Sequence, residues 1–248
     1  MEMIANPFAV VILAAGKGTR MNSDLPKVLH EINGKPMITQ VVETAEKIGA
    51  ERIIPVVGYK HELVQDALKN YPVNFAYQLE QLGTAHAVMQ CSSLLKDFKG
   101  NVLILYGDVP LITSDTLKHL LHTHESENTP GTILTTDLPD PFGYGRVIRN
   151  EDGSLNRIVE EKDASNEEKQ CKEVNTGFYV FTAEVLFDLL PQVGNNNAQG
   201  EYYLPDVLNL IIAKNQKVAI DKIKNYNEIQ GVNTVEQLTE LAAISNDE

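Results

Sequence analysis

Short apolar runs recur along the first half of the chain, each followed by a stretch with helical spacing. Phe8 to Ala15 (FAVVILAA) is an unbroken apolar run with the length of a strand buried on both faces. Pro36 to Ile48 repeats its apolar residues at helical intervals and Gly49 follows as a stop; Arg52 to Val57 is then β-rich and bounded by Gly58. The alternation continues with predicted helices over His61–Lys69 and Thr84–Leu95 and predicted strands over Val73–Tyr77 and Val102–Tyr106. Strands separated by helices of this length predict an α/β fold, a parallel sheet covered on both faces. Ligands of such sheets sit at the carboxyl ends of the strands.

From about Thr132 the texture changes. Thr132–Thr136, Arg146–Arg149, Leu155–Glu161 and Glu173–Phe181 are short β-like segments, with turn residues such as Asp152-Gly153 between them. They predict an extension of the sheet with an antiparallel flap. Helices are expected over Ala183–Leu190, Tyr203–Lys214 and Val235–Ile244. No Pro/Gly/Ser linker separates an independent unit, so residues 1–248 read as one domain. Its first half is about 1–130, its second about 131–233, and a C-terminal helix covers about 234–246. No internal repeat and no hexapeptide β-helix pattern is visible.

The 248 residues are 43% apolar, enough for a sizeable core. A net charge of −13, from 21 Lys and Arg against 34 Asp and Glu, argues against a nucleic-acid partner. It also makes any local cluster of cations more telling. Cys91 and Cys171 lie far apart without Cys-x-x-Cys spacing, so neither a disulfide framework nor a zinc site is implied, and both are expected to be buried packing residues. No basic segment precedes the first apolar stretch, which is too short to cross a bilayer. The expected compartment is the cytoplasm, with no membrane partner.

The chemistry begins where the first run ends, at Gly16 and Gly18, followed by Arg20, Pro26 and Lys27. Glycines after a buried strand let backbone N–H groups approach an anion. A dinucleotide fingerprint would need a third glycine where Met21 stands, and a P-loop would need Lys then Ser/Thr where Thr19 and Arg20 stand. What remains is a phosphate-binding loop followed by two fixed cations. In NVLILYGDVPL, Asp108 ends another apolar run, where a ligand crevice should lie, and Gly107 allows close packing. Asp108 is the metal-ligand candidate, since magnesium bound with a triphosphate needs only one or two protein oxygens. The alternative is a carboxylate that caps the turn before Thr113.

Weaker signals follow. Gly83 and Thr84 open a predicted helix whose free N–H groups suit a polar ligand, or Thr84 simply caps it. His86 reads as a packing or surface residue. Gly143 and Gly145 either bring backbone to a ligand or form a hairpin turn. Glu160 could accept from sugar hydroxyls, or it and Lys162 are a solvated strand end. NTG at 175–177, GVN at 231–233 and the Asn/Gln-rich loop Asn195–Asp206 carry little alone. No nucleophile with an adjacent base stands out, whereas phosphoryl-type transfer needs only positioning, a metal and cations.

Taken in order, LAAGKGTRM with PKVL, QLEQLGTAHA, LYGDVPL, GYGR, IVEEKDA, EVNTG, NNNAQGEYYLPD and QGVN span almost the whole chain. They resemble the sugar nucleotidyltransferases, specifically the uridylyltransferase half of the bacterial bifunctional enzymes that make UDP-N-acetylglucosamine. The resemblance implies a doubly wound, mostly parallel, Rossmann-like sheet of the nucleotide-diphospho-sugar transferase type with a smaller antiparallel sugar-side lobe. It implies that Leu13, Ala14, Ala15, Gly16 and Gly18 cradle a nucleotide and that Gln78, Gly83 and Thr84 recognise uridine. Arg20 and Lys27 would bind the triphosphate, and Asp108 and Asn233 would hold Mg²⁺. Tyr106, Gly107, Gly145, Glu160, Asn175 and Asn233 fall on the sugar side.

The implied reaction joins UTP and N-acetylglucosamine 1-phosphate, for cell-wall and lipopolysaccharide precursor synthesis. Those enzymes continue into a trimer-forming β-helix where this sequence reaches Glu248, so acetyl transfer and an oligomer are not expected. Gln230 stands where an acidic residue is common. The rival readings are transfer to another sugar, such as glucose 1-phosphate with UTP or dTTP, and a non-catalytic nucleotide-sugar sensor. An NAD-dependent oxidoreductase lacks its third glycine.

Overall fold

The computed structural model describes residues 4–244. Its strands are β1 (Phe8–Ala14), β2 (Glu31–Ile32), β3 (Lys35–Pro36), β4 (Arg52–Val57), β5 (Ala76–Tyr77), β6 (Asn101–Tyr106), β7 (Gly131–Asp137), β8 (Arg146–Arg149), β9 (Leu155–Val159), β10 (Glu173–Thr182) and β11 (Val218–Lys222). Its helices are α1 (Met37–Lys47), α2 (His61–Ala67), α3 (Thr84–Met89), α4 (Ser92–Leu95), α5 (Ser114–Glu127), α6 (Ala183–Leu189), α7 (Pro205–Ala213) and α8 (Val235–Ile244). The expected final helix extends to 246, and its last residues lie outside the described ones.

The main sheet runs β11-β7-β10-β6-β1-β4-β5. β6, β1, β4 and β5 pair in parallel, as do β7 and β11, while β10 is antiparallel to both β6 and β7. β8 and β9 form the expected antiparallel flap, joined to the sheet through β10. A separate hairpin, β2–β3, lies between β1 and α1 in the chain.

Period-two alternation divides β1 between two cores. Ala9, Val11 and Leu13 face a cluster that includes Val88 of α3, Leu186 of α6 and Leu208 of α7. Phe8, Val10, Ile12 and Ala14 face the opposite cluster, with Val41 of α1, Val64 of α2 and Leu120 of α5. The sheet is therefore wound on both faces, and β1 is buried throughout. A small third cluster of Met21, Ile32, Met37, Val232 and Leu241 ties the loop after β1 to α8.

Several expectations need correction. α5 and β11 have no predicted counterpart: α5 is rich in polar residues and shows its core only through Leu117, Leu120 and Leu121, and β11 is short. The expected helix 84–95 breaks into α3 and α4, because Gln90 and Cys91 bond three residues back and the Ser92 hydroxyl takes the Met89 carbonyl at 2.6 Å. The expected strand 73–77 narrows to β5, with Val73 making an isolated bridge to Ile53. Cys91 is buried and burial pushes its thiol up to about 12. Cys171 is only partly buried, contrary to expectation, and its Sγ donates to Val147 O at 3.4 Å. Among the described residues no helix is long and apolar enough to cross a membrane.

Candidate active site

The loop leaving β1 and the end of β6 lie side by side, held by a Gly107 N–H to Leu13 carbonyl bond of 3.0 Å. Gly18 takes a left-handed conformation (φ +64°), and a Cβ there would stand 2.5 Å from Lys27 Cβ. Glycine thus lets the loop fold down against Lys27. The Lys27 ammonium pairs with Asp108 Oδ2 and donates to Asn233 Oδ1 at 3.1 Å. Arg20 Nη2 donates to the same Asn233 oxygen at 2.8 Å. Asn233 is positioned by the link from Val232 N to Asp108 O (3.0 Å) and by its own N–H to Gln237 Oε1 on α8 (2.7 Å).

Four residues from distant parts of the chain thus share one centre. Two cations against one carboxylate leave it net positive in a protein of net charge −13, the electrostatics an anionic ligand needs. Asp108 does not cap the turn before Thr113. The Thr113 hydroxyl caps α5 itself, accepting from Thr116 N at 3.2 Å.

Leu13, Ala14, Ala15 and Gly16 form one wall of a cleft completed by Lys27, Gln78, Gly83, Thr84, Tyr106 and Asp108. The Thr84 hydroxyl does not cap its helix; it accepts from Leu204 N at 2.9 Å, docking the loop before α7 onto α3. Tyr202 reinforces that contact, donating to Leu82 O at 2.8 Å and accepting from Ala85 N at 2.9 Å. The Asn/Gln-rich loop is therefore part of the cleft wall. Gln81 and Glu201 also line the cleft, and no sequence signal singles them out, although Gln81 lies in QLEQLGTAHA and Glu201 in NNNAQGEYYLPD, two segments that carry the resemblance.

Gly145, Glu160 and Asn175 form a neighbouring cluster. Asn175 N donates to Gly145 O at 2.9 Å, and Asn175 Oδ1 accepts from Tyr179 Oη (2.8 Å) and Gly177 N (3.0 Å). The Asn175 side chain also bonds Glu160, whose carboxylate lies against Gly145. Burial, helped by Asp206 and Asp163, pushes the Glu160 carboxyl up to about 7, so it is no solvated strand end. Lys162 is exposed, as the solvated reading has it. Gly143 sits in an exposed turn, so the two glycines of this loop serve different ends.

Tyr106 connects the groups. Its ring packs edge-on against Phe178, with centroids 6.3 Å apart, and burial with the charges of Glu160 and Asp108 raises its phenol. Sequence reasoning also missed a buried guanidinium: Arg146 contacts Glu161 at 2.7 Å and donates to Tyr144 O, fastening the Gly145 loop to the turn that carries Glu160.

A mostly parallel sheet with the candidate site at its strand ends, a glycine loop and paired cations define a nucleotide-handling α/β protein. The chain belongs to the nucleotidyl transferase family, whose profile matches residues 9–228. It is 50% identical over 230 residues to the bifunctional protein GlmU of Halalkalibacterium halodurans, covering 93% of this chain and 50% of that protein. The GlmU of Streptococcus mutans is 49% identical over 223 residues, covering 90% of this chain and 48% of the relative. The chain thus spans about half the length of the curated relatives it matches. A UDP-glucose pyrophosphorylase solved with UDP-glucose superposes with a TM-score of 0.76 at 20% identity, covering 97% of this chain and 99% of that one. A putative glucose-1-phosphate thymidylyltransferase from Bacillus anthracis gives 0.73 at 19%, covering 97% and 96%. At that identity the two structures speak for the fold alone.

Proposed function

We propose that the chain transfers a uridylyl group from UTP to N-acetylglucosamine 1-phosphate, giving UDP-N-acetylglucosamine and pyrophosphate. The observation that carries this reading is the joint centre of Arg20, Lys27, Asp108 and Asn233 beside the Gly145–Glu160–Asn175 cluster, in a chain half identical to GlmU proteins. A phosphate oxygen of the sugar phosphate attacks the α-phosphorus, and the bond to the β-phosphate oxygen breaks. Both reactants are anions, so the residues' task is to offset repulsion and receive the leaving charge. Arg20 and Lys27 bind the triphosphate and stabilise the departing pyrophosphate. Leu13 to Gly16, with Gly18, cradle the nucleotide and Gln78, Gly83 and Thr84 face its base.

Asp108 and Asn233 present two hard oxygens that converge on the Lys27 ammonium, a donor set that fits Mg²⁺ with phosphate oxygens completing its shell. When bound there, the ion supplies Lewis-acid charge to the reacting phosphoryl group. On the sugar side, the Glu160 carboxylate and Asn175 amide accept from and donate to hydroxyl and acetamido groups, and Gly145 leaves the Glu160 carboxylate its place; Gly107 faces the core instead, where a Cβ would stand 3.2 Å from Val28 and 3.3 Å from Ala14.

Pyrophosphate release from the purified chain, measured across sugar 1-phosphates and nucleoside triphosphates with Mg²⁺, tests the reading. Turnover with UTP and N-acetylglucosamine 1-phosphate is expected. Turnover only with glucose 1-phosphate, or with none of the pairs, would sink it.

A further inference from the structure

Gly145, Glu160 and Asn175 come from three segments of the flap, and the pairing that unites them is set one residue away. Arg146 of β8 stands opposite Val159 of β9 on one side and Val174 of β10 on the other, both antiparallel. One step along, the same register sets Gly145 against Glu160 and against Asn175, and the Asn175 N–H to Gly145 carbonyl bond of 2.9 Å closes the second pair. At 1% exposure the Arg146 side chain is shut off from any ligand. Its guanidinium instead reaches the turns on either side of the cluster. It donates through Nη1 to the carbonyl of Tyr144, the residue before Gly145, and its Nη2 lies 2.7 Å from Oε2 of Glu161, the residue after Glu160.

Stability alone is a poor account of this contact. Arg146 Nε is buried with no hydrogen-bond partner among the described residues, so the guanidinium gives up hydration that the fold does not fully repay. What a planar fork does supply is a fixed distance and angle between its two partners. The tolerance there is small: a Cβ on Gly145 would stand 3.0 Å from Glu160 Oε1, and Glu160 also bonds the Asn175 side chain. We propose that Arg146 is a positioning residue for the sugar pocket: by holding the Tyr144 carbonyl and Glu161 at a fixed span, it keeps Gly145, Glu160 and Asn175 at the spacing that takes a hexosyl group. It sets affinity for the sugar without touching it. The inference rests on the proposed sugar-side assignment. The groups assigned to the nucleotide come from the loops after β1 and β5 and from the start of α3, outside the β8–β9 flap, so loosening the clamp is felt by the sugar and not by the nucleotide.

Two variants separate positioning from structure. Arg146→Lys keeps a buried cation for Glu161 but, as a point charge, loses the fork. The double variant Arg146→Met/Glu161→Met removes both charges at similar volume and leaves no buried charge unpaired. Calorimetric titration with UDP reads the nucleotide side alone, and titration with UDP-N-acetylglucosamine adds the sugar; KM for each substrate, set against kcat, gives the same split. Both variants are expected to bind UDP within about twofold of wild type, while affinity for UDP-N-acetylglucosamine falls about fivefold in Arg146→Lys and about tenfold or more in the double variant, with the rise in KM confined to the sugar 1-phosphate. An unchanged ratio of the two affinities in either variant, whether both ligands hold or both weaken together, would overturn the inference. If the double variant shows no cooperative thermal transition, the ratio in Arg146→Lys decides. Wild-type protein that binds the two ligands equally would overturn the inference together with the sugar-side assignment. Wild-type protein that prefers UDP-N-acetylglucosamine yet transfers no uridylyl group would instead fail the catalytic reading alone.

Discussion

The ring of Tyr106 fills the space that a side chain on residue 177 would need: a Cβ on Gly177 would fall 2.5 Å from Tyr106 Cε2. Gly177 also holds φ +87°, a backbone conformation that side chains resist. Gly177→Ala should therefore cost about 2–4 kcal/mol in urea unfolding, from strain and overpacking together. In a Tyr106→Ala background the clash is gone and the cost should fall to about 1 kcal/mol. An equal cost in both backgrounds would show that the ring is not what excludes a side chain.

Asp108 meets Lys27 and contributes charge at a strand end, with no core volume of its own. Asp108→Asn should leave the thermal transition within a few degrees of wild type and reduce Mg²⁺-dependent pyrophosphate release by about 10²-fold or more. Near-normal turnover would remove Asp108 from the metal centre.

Glu160 titrates at about 7 in the fold against 4.5 ordinarily, because burial disfavours its carboxylate. A raised carboxyl contributes stability that is complete below pH 4.5 and lost as pH rises through about 7, on the order of 3 kcal/mol in all. Glu160→Gln, which does not titrate, should be less stable than wild type at pH 4 relative to its standing at pH 8. Parallel melting curves for the two proteins across that range would refute the assignment.

His124 runs the other way. It is buried against Thr132, with Nδ1 2.8 Å from the Thr132 hydroxyl, and burial lowers its pKa to about 4 from 6.5. A depressed histidine gives stability that is present above pH 6.5 and lost as pH falls through about 4. His124→Gln keeps a partner for Thr132 and should flatten the acid limb of the stability profile between those values. An acid limb as steep as wild type would assign the loss to other groups.

The legible parts of the chain were those whose burial is encoded locally. β1 reads from its apolar run because both its faces are covered, and Asp108 reads because it ends a similar run. α5 did not, since its exposed face carries so many polar residues that Leu117, Leu120 and Leu121 are a thin stripe. Within the site, Gly145, Glu160 and Asn175 came from the resemblance, and each signal alone was weak. What no local pattern encodes is tertiary approach: the Tyr106 ring over Gly177, Tyr202 against the start of α3, and the buried Arg146 beside Glu161. Of the two readings of Thr84 only the helix cap fails, and for that reason: its hydroxyl's partner, Leu204, is distant in sequence.

The reversed strand β10 also governs the order in which the molecule can be completed. β6 and β7 follow one another in the chain, yet each pairs with β10 and not with the other. During synthesis both therefore present open ladder edges until Glu173–Thr182 has emerged and slid between them. The residue that brings Asn175 to the sugar cluster belongs to that same late strand. A nascent chain can thus hold its glycine loop and Asp108 early, but its second pocket arrives only with the closing of the sheet.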